Sequence, residues 1–263
     1  MENAMGKLLQ ICVVGDANQP EFQYALSNIF NGAYVCYAAS IEDFFRLNPS
    51  PDVVVMLQSY PGEYSIPEME RIIQSNPIAS LILVTSSWGE GERRTGTPIR
   101  DAIRIAWYDF PCWFKRQKTL FDAGRLSQLS LPLSASDAQR AELDSQNEFP
   151  ARTNDVFWIF SDSAVQRETL SRFYAPLGAQ VWSGGMTTAF PEQFPLAHPA
   201  RIVVFPDFLS DGVFKRIAQL KELNPNAAIY VIVYQPRIEE IESLRSNGAD
   251  EILSPEFYQH AAL

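Results

Sequence analysis

Basic residues are in short supply in this chain. Twenty-one lysines and arginines stand against 31 aspartates and glutamates, for a formal charge of −10 over 263 residues. That balance disfavours a broad electrostatic grip on nucleic acid or on an anionic membrane. Histidine is rarer still: His198 and His260 are far apart and have no cysteine or acid at ligand spacing, so no metal site is expected. Three cysteines, Cys12, Cys36 and Cys112, leave an odd thiol in any disulfide scheme and lack a metal-like spacing. Cys12 and Cys36 lie inside apolar runs, where a thiol packs as a small hydrophobe, and a reduced, cytoplasmic setting fits this usage. Long apolar runs are missing too. No stretch approaches the roughly 18 residues of a membrane span, and Met1–Gly6 lacks the positive region of a signal peptide. There is no Gly-x-Ser-x-Gly elbow and no cysteine with a credible histidine base, so nothing argues for nucleophilic catalysis. Neither a catalytic residue nor a cofactor is expected.

What is present is core-forming material. The chain is 46% hydrophobic and 12% aromatic, too apolar for disorder. Its length is near the size at which one core gives way to two, and two domains are the natural expectation. Leu8–Val14 is an apolar run ended by Gly15-Asp16, the pattern of a strand buried on both faces. Pro20–Phe30 carries Phe22, Leu26, Ile29 and Phe30 at helical spacing, with Pro20 suited to a first turn. Strand and helix then alternate: Tyr34–Ala38, Ile41–Leu47, Asp52–Leu57, Pro67–Ser75, Ser80–Thr85, Ile103–Tyr108 and Pro111–Leu126.

Between about Leu129 and Thr153 the long apolar runs vanish, and the stretch reads as a linker with a helix over Asp137–Leu143. The scheme then repeats: strands at Asp155–Phe160, Ala179–Trp182, Arg201–Phe205, Ala228–Tyr234 and Glu251–Leu253, and helices at Ala164–Tyr174, Asp211–Leu223 and Ile238–Asn247, with a short one over Pro191–Phe194. Alternation of this kind predicts an α/β fold, two doubly wound parallel-sheet domains in tandem. The expected division is 7–126, a linker over 127–153, and 154–263, each sheet in the order 2-1-3-4-5.

The stretch Ala228–Leu253, AIYVIVYQPRIEEIESLRSNGADEIL, carries the most information. A hydrophobic strand, an amphipathic helix, a Gly248-Ala249-Asp250 turn and a second short strand follow one another. In that order it resembles the last third of a response-regulator receiver domain, a flavodoxin-like fold. The resemblance implies a site of clustered carboxylates that bind a hard cation, an acceptor aspartate ending the third strand, a hydroxyl residue ending the fourth and a lysine ending the fifth. Cation and lysine together neutralise phosphoryl charge.

Most of those places hold other chemistry here. In the second half Asp162 keeps one acid, Pro206 falls at the acceptor place with Asp207 one residue beyond, Tyr234 falls at the hydroxyl place, and Ser254-Pro255 replaces lysine and proline. In the first half Asp16 keeps one acid, Leu57-Gln58 ends the third strand, Thr85 matches the hydroxyl residue, and Phe110-Pro111 takes the lysine-proline place. The resemblance is thus to a degenerate pseudo-receiver, repeated in tandem. Asp16 and Asp162 have two readings, as turn closers after buried strands or as remnants of a ligand site.

One further segment stands out. Ser86–Pro98 follows the fourth strand, where open α/β sheets place binding loops, and carries Trp88, Glu90, Glu92, Arg93 and Arg94 among glycines. It lacks the Gly-Lys-Ser/Thr ending of a phosphate loop. Trp and Arg are residues that anchor interfaces, and an exposed loop docking a protein partner is one reading, a solvated loop with internal Arg–Glu pairs the other. The functional expectation is a cytoplasmic signalling protein that acts through protein–protein interaction without accepting phosphoryl groups. It binds neither nucleic acid nor membrane, and homo-oligomerisation is left open. The alternative is a small-ligand or nucleotide sensor binding at the carboxyl ends of the strands.

Overall fold

Three valines in succession and a run of leucines and isoleucines give the first sheet its centre. The structure is a computed structural model that describes residues 8–27, 29–91, 102–131, 135–146, 155–175, 180–188 and 199–255. In chain order it begins with β1 (Leu9–Val14), α1 (Pro20–Leu26), β2 (Ala33–Ala38), α2 (Ile41–Leu47), β3 (Val53–Gln58), α3 (Ile66–Ser75), β4 (Ser80–Thr85), β5 (Ile103–Ala106) and α4 (Phe110–Asp122). The strands run parallel in the order β2-β1-β3-β4-β5. β3 and β4 are buried at every residue, as strands covered on both faces must be. β2, with Tyr34 and Tyr37 exposed, takes the edge.

Alternation along the strands sends Cys12, Val14, Val54, Met56, Leu81 and Leu83 to one face, where they pack with Ile41, Phe44, Met69 and Ile72 of α2 and α3. α1 and α4 also meet, and Phe30, in the segment after α1, lies edge-on to Phe114 of α4 at 5.1 Å. Local chemistry fixes the helix starts. Ser65 caps α3 in a reciprocal box with Glu68, and Ser40 caps α2 by accepting from the Asp43 amide.

The chain divides into two units, Met1–Glu148 and Phe149–Leu263. Much of the stretch expected to be a linker therefore falls within the first unit. Gln128–Ser130 forms a 3-10 turn in which Gln128 and Leu129 are buried. The Ser80 hydroxyl donates to the Leu129 carbonyl at 3.0 Å, and the Gln128 amide donates to Gln117 Oε1 at 2.8 Å. Beyond it α5 (Asp137–Gln146) follows, with Leu143 buried. Polar composition hid these anchoring residues.

The second unit contains β6 (Val156–Phe160), α6 (Ala164–Tyr174), β7 (Gln180–Gly184), β8 (Arg201–Val204), α7 (Asp211–Leu223), β9 (Ala228–Ile232), α8 (Ile238–Ser246) and β10 (Glu251–Leu253). Its order, β10-β9-β8-β6-β7, is again 2-1-3-4-5 when counted from its own first strand, with all pairs parallel. Both units are thus doubly wound α/β domains with the expected topology. The short helix expected over Pro191–Phe194 lies outside the described residues. Among the described residues no helix is long and apolar enough to cross a membrane.

Candidate functional site

Doubly wound sheets bind ligands at the carboxyl ends of their strands, because the loops there converge and helix amino ends face inward. In the first unit that rim is made by Gly15-Asp16 after β1, Ser59–Ser65 after β3, Ser86–Gly91 after β4 and Trp107–Asp109 after β5. Gly15 has φ +117°, and a Cβ added to it would come within 2.7 Å of the Tyr64 hydroxyl and 2.9 Å of the Leu57 carbonyl. Only glycine fits a backbone so placed. The Tyr64 hydroxyl donates to that same carbonyl at 2.6 Å.

Asp16 is exposed and occupied locally. Its Oδ1 accepts from the Asn18 amide at 3.0 Å and from Asn18 Nδ2 at 3.1 Å, so it closes its own turn. Gln58, the last residue of β3, is fully buried, and its side-chain oxygen accepts from Arg104 Nη1 at 3.4 Å. Around it hydroxyls and carboxylates bind one another. Gln19 Nε2 donates to Ser59 Oγ at 2.7 Å, Ser86 Oγ to the Ser59 carbonyl at 2.6 Å, and Ser87 Oγ to Glu21 Oε1 at 2.7 Å. Trp107 Nε1 donates to Ser87 Oγ at 3.1 Å. Glu63 accepts from the Ser59 amide. Burial holds the Glu63 carboxyl above its ordinary range, its backbone hydrogen bonds oppose that shift, and the nearby Asp16 charge adds to it. Glu63, Glu21 and Ser59 were not singled out in the sequence, since their hydrogen bonds depend on how the loops after β3 and β4 fold back and meet α1. Pro61-Gly62, which turns the chain back toward β3, was the only signal for Glu63.

Of the loop residues singled out, Trp88 stands in solvent and Glu90 is partly exposed on the 3-10 turn Gly89–Gly91. That turn is tied down: Gly89 donates to Ser86 Oγ at 3.2 Å, and a Cβ on Gly89 would lie 2.8 Å from the Gln58 carbonyl. Glu92, Arg93 and Arg94 lie outside the described residues.

In the second unit Asp162 Oδ1 accepts from the Met186 amide at 2.9 Å, pinning the turn that leaves β7. Arg167 clasps the exit of β6, donating to the carbonyls of Ser161 and Asp162. Arg216 of α7 is buried, lies over the Phe160 ring at 4.9 Å and donates to the Thr188 carbonyl at 2.6 Å. Asp207 is exposed beside the buried Pro206. No group of three or more His, Cys, Asp and Glu residues that could hold a metal ion occurs among the described residues.

Register aligns the two rims. Val14 pairs with Met56 and Phe160 with Val204. Counting on, Gly15-Asp16 corresponds to Ser161-Asp162, and Gln58, Ser59 and Tyr60 to Pro206, Asp207 and Phe208. Met56 pairs with Leu83 and Val204 with Val231, so Thr85 corresponds to Val233. Tyr234 then corresponds to Ser86, so the two residues expected at the hydroxyl position, Thr85 and Tyr234, stand one register step apart. Leu83 pairs with Arg104 and Val231 with Ile252, so Ser254 corresponds to Ala106. Phe110-Pro111 does not take that place: those residues open α4, after the turn Trp107–Asp109.

The Gly248-Ala249-Asp250 turn lies at the opposite, amino edge. Asp250 Oδ2 accepts from Lys221 Nζ and from the Ile229 amide, each at 2.8 Å. Asp52 does the same for the Gln10 amide at 3.0 Å. Both carboxylates hold neighbouring strands in register, a structural role. Beside the exposed Asp16 and Asp207, the carboxyl edges offer large aromatic rings outward: Tyr60 is 54% exposed and Trp88 80% in the first unit, Phe208 72% and Tyr234 66% in the second.

No family model matches the chain, and no curated protein matches it. Solved structures similar to it include a crystal structure of a two-component system response regulator/GGDEF domain protein, at 13% identity and TM-score 0.37, covering 97% of this chain and 94% of that one. A second protein of that description matches at 12% identity and TM-score 0.38, covering 96% and 94%. The Escherichia coli RcsC C-terminus, containing a linker region and phosphoreceiver domain, matches at 10% identity and TM-score 0.33, covering all of this chain and 92% of that one. The fold of each unit here rests on its strand order.

Proposed function

We propose that the chain is a cytoplasmic regulatory protein whose two receiver-like units bind protein partners and do not accept phosphoryl groups. The observation that carries this reading is the replacement of charge by exposed aromatic surface at both carboxyl edges. By strand register, the places where a receiver holds acceptor, hydroxyl and lysine correspond to Gln58, Thr85 or Ser86, and Ala106 in one unit and to Pro206, Val233 or Tyr234, and Ser254 in the other. Asp16 and Asp162 are engaged by backbone amides of nearby turns, and a lone carboxylate is a poor magnesium site. Tyr60, Trp88, Phe208 and Tyr234 stand in solvent at those same edges, and large aromatic residues are common interface anchors.

The test is incubation of the full chain with magnesium and acetyl phosphate, read by intact mass. An unchanged mass is expected. A phosphoryl adduct that disappears in Asp207→Ala would make the second unit an active receiver and overturn the reading.

A further inference from the structure

The two cysteines taken individually as small hydrophobes are neighbours in the sheet. Cys12 of β1 and Cys36 of β2 are direct register partners. Both side chains face the same side, since both pack in the cluster formed with α2 and α3. The two thiols are free. Adjacent strands lie about 4.7–4.9 Å apart, inside the roughly 4.4–6.8 Å Cα separation that disulfides span. The pair is also asymmetric. Cys12 is fully buried in a central position, whereas Cys36 is partly exposed on the edge strand.

We propose that Cys12 and Cys36 form a peroxide-reactive dithiol that closes to a disulfide, stapling the edge strand β2 to β1. Exposure assigns the roles. Cys36, reached from solvent, reacts as the thiolate with one oxygen of hydrogen peroxide. The O–O bond breaks, hydroxide leaves and takes up a proton to become water, and Cys36 becomes a sulfenic acid. The Cys12 sulfur then attacks that sulfur, the S–S bond forms, and the displaced hydroxyl leaves as a second water with the Cys12 proton. The dithiol loses two electrons and the peroxide gains them. Burial and the adjoining Cys36 sulfur push the Cys12 thiol up, which keeps it protonated and makes it the second to react. Its slowness as a nucleophile is offset by permanent contact with its target.

This inference is independent of the phosphoryl question. The full chain carrying Cys112→Ser is treated with hydrogen peroxide, quenched with catalase, alkylated after unfolding and digested without reductant. The expected product is a peptide pair joined through Cys12 and Cys36 of one chain, with both thiols lost together and restored by dithiothreitol. A Cys12→Ala variant should accumulate Cys36 sulfenic acid, trapped by dimedone. Over-oxidation of Cys36 to the sulfinic acid with Cys12 still alkylated, or a cross-link joining two chains, would overturn the proposal. If Cys12→Ala does not fold, the cross-link map of the parent protein decides the matter alone.

Discussion

The guanidinium of Arg104 on β5 reaches past β4 to the side-chain oxygen of Gln58 on β3, at 3.4 Å. Gln58 ends the third strand, fully buried, where the receiver resemblance implies an ionised acceptor. The neutral amide instead supplies an acceptor to a cation within the fold. Gln58→Leu keeps the volume and removes that acceptor, and should destabilise the first unit by about 1–3 kcal/mol, the cost of a buried polar group losing its partner. Urea denaturation followed by tryptophan fluorescence measures it. Stability unchanged within about 0.5 kcal/mol would mean the contact carries no weight.

Gly15 tests the geometry of the rim. Its φ of +117° and its closeness to the Tyr64 hydroxyl and the Leu57 carbonyl leave no room for a side chain. Gly15→Ala should therefore cost more than about 1–2 kcal/mol, backbone strain alone supplying that much. Adding Tyr64→Phe removes the nearer clash but not the carbonyl. The double variant should recover only part of the lost melting temperature, and full recovery would place the strain in the hydroxyl contact alone.

Two tryptophans, Trp88 just after β4 and Trp107 just after β5, should behave oppositely. Trp107 is fully buried, edge-on to Tyr24 at 5.5 Å, and Trp107→Ala should cost about 3–5 kcal/mol as a large core deletion. Trp88 projects into solvent, and Trp88→Ala should shift stability by no more than about 0.5 kcal/mol. The same substitution, and Phe208→Ala in the second unit, should each weaken partner binding by about 2 kcal/mol or more if these rings are anchors. Thermal melts beside titration with a protein recovered by pull-down on the parent chain separate the two effects. A large drop in melting temperature for Trp88→Ala would remove it as a docking residue.

The sheets were legible because burial on both faces writes itself as unbroken apolar runs, VVVML in β3 and LILV in β4. Of the two readings open for Asp16, that of a turn closer was legible because its bonds to Asn18 are local; Asp162 instead accepts from the Met186 amide, a partner 24 residues away that no local pattern reveals. Other features depend on register or on distant partners. Glu63 binds the Ser59 amide only because the loop folds back on β3. Ser86 and Ser87 find partners on other elements. The offset of Phe110 from the β5 exit reflects the turn Trp107–Asp109, whose length no periodicity reveals. Leu129 and Leu143 are anchors set in polar sequence, and the neighbourhood of Cys12 and Cys36 follows from strand pairing alone.

Glu63 gives the rim a pH dependence whose sign can be worked out. Burial raises its folded-state pKa above the ordinary value of 4.5, against the pull of its backbone hydrogen bonds. Above 4.5 the unfolded chain has released this proton, while the folded chain still holds it until the raised value is passed. The folded state then binds more protons, so this group's contribution to stability falls as pH rises through that interval and is greatest below it. Glu63→Gln keeps an oxygen for the Ser59 amide and cannot ionise. Denaturation midpoints of the two proteins, measured at a series of pH values from 4 to 8, should therefore diverge upward through this window, with the variant gaining on the parent. A difference that is flat across the series, or that favours the parent as pH rises, would show that the hydrogen bonds from Ser59 and Tyr60 outweigh burial.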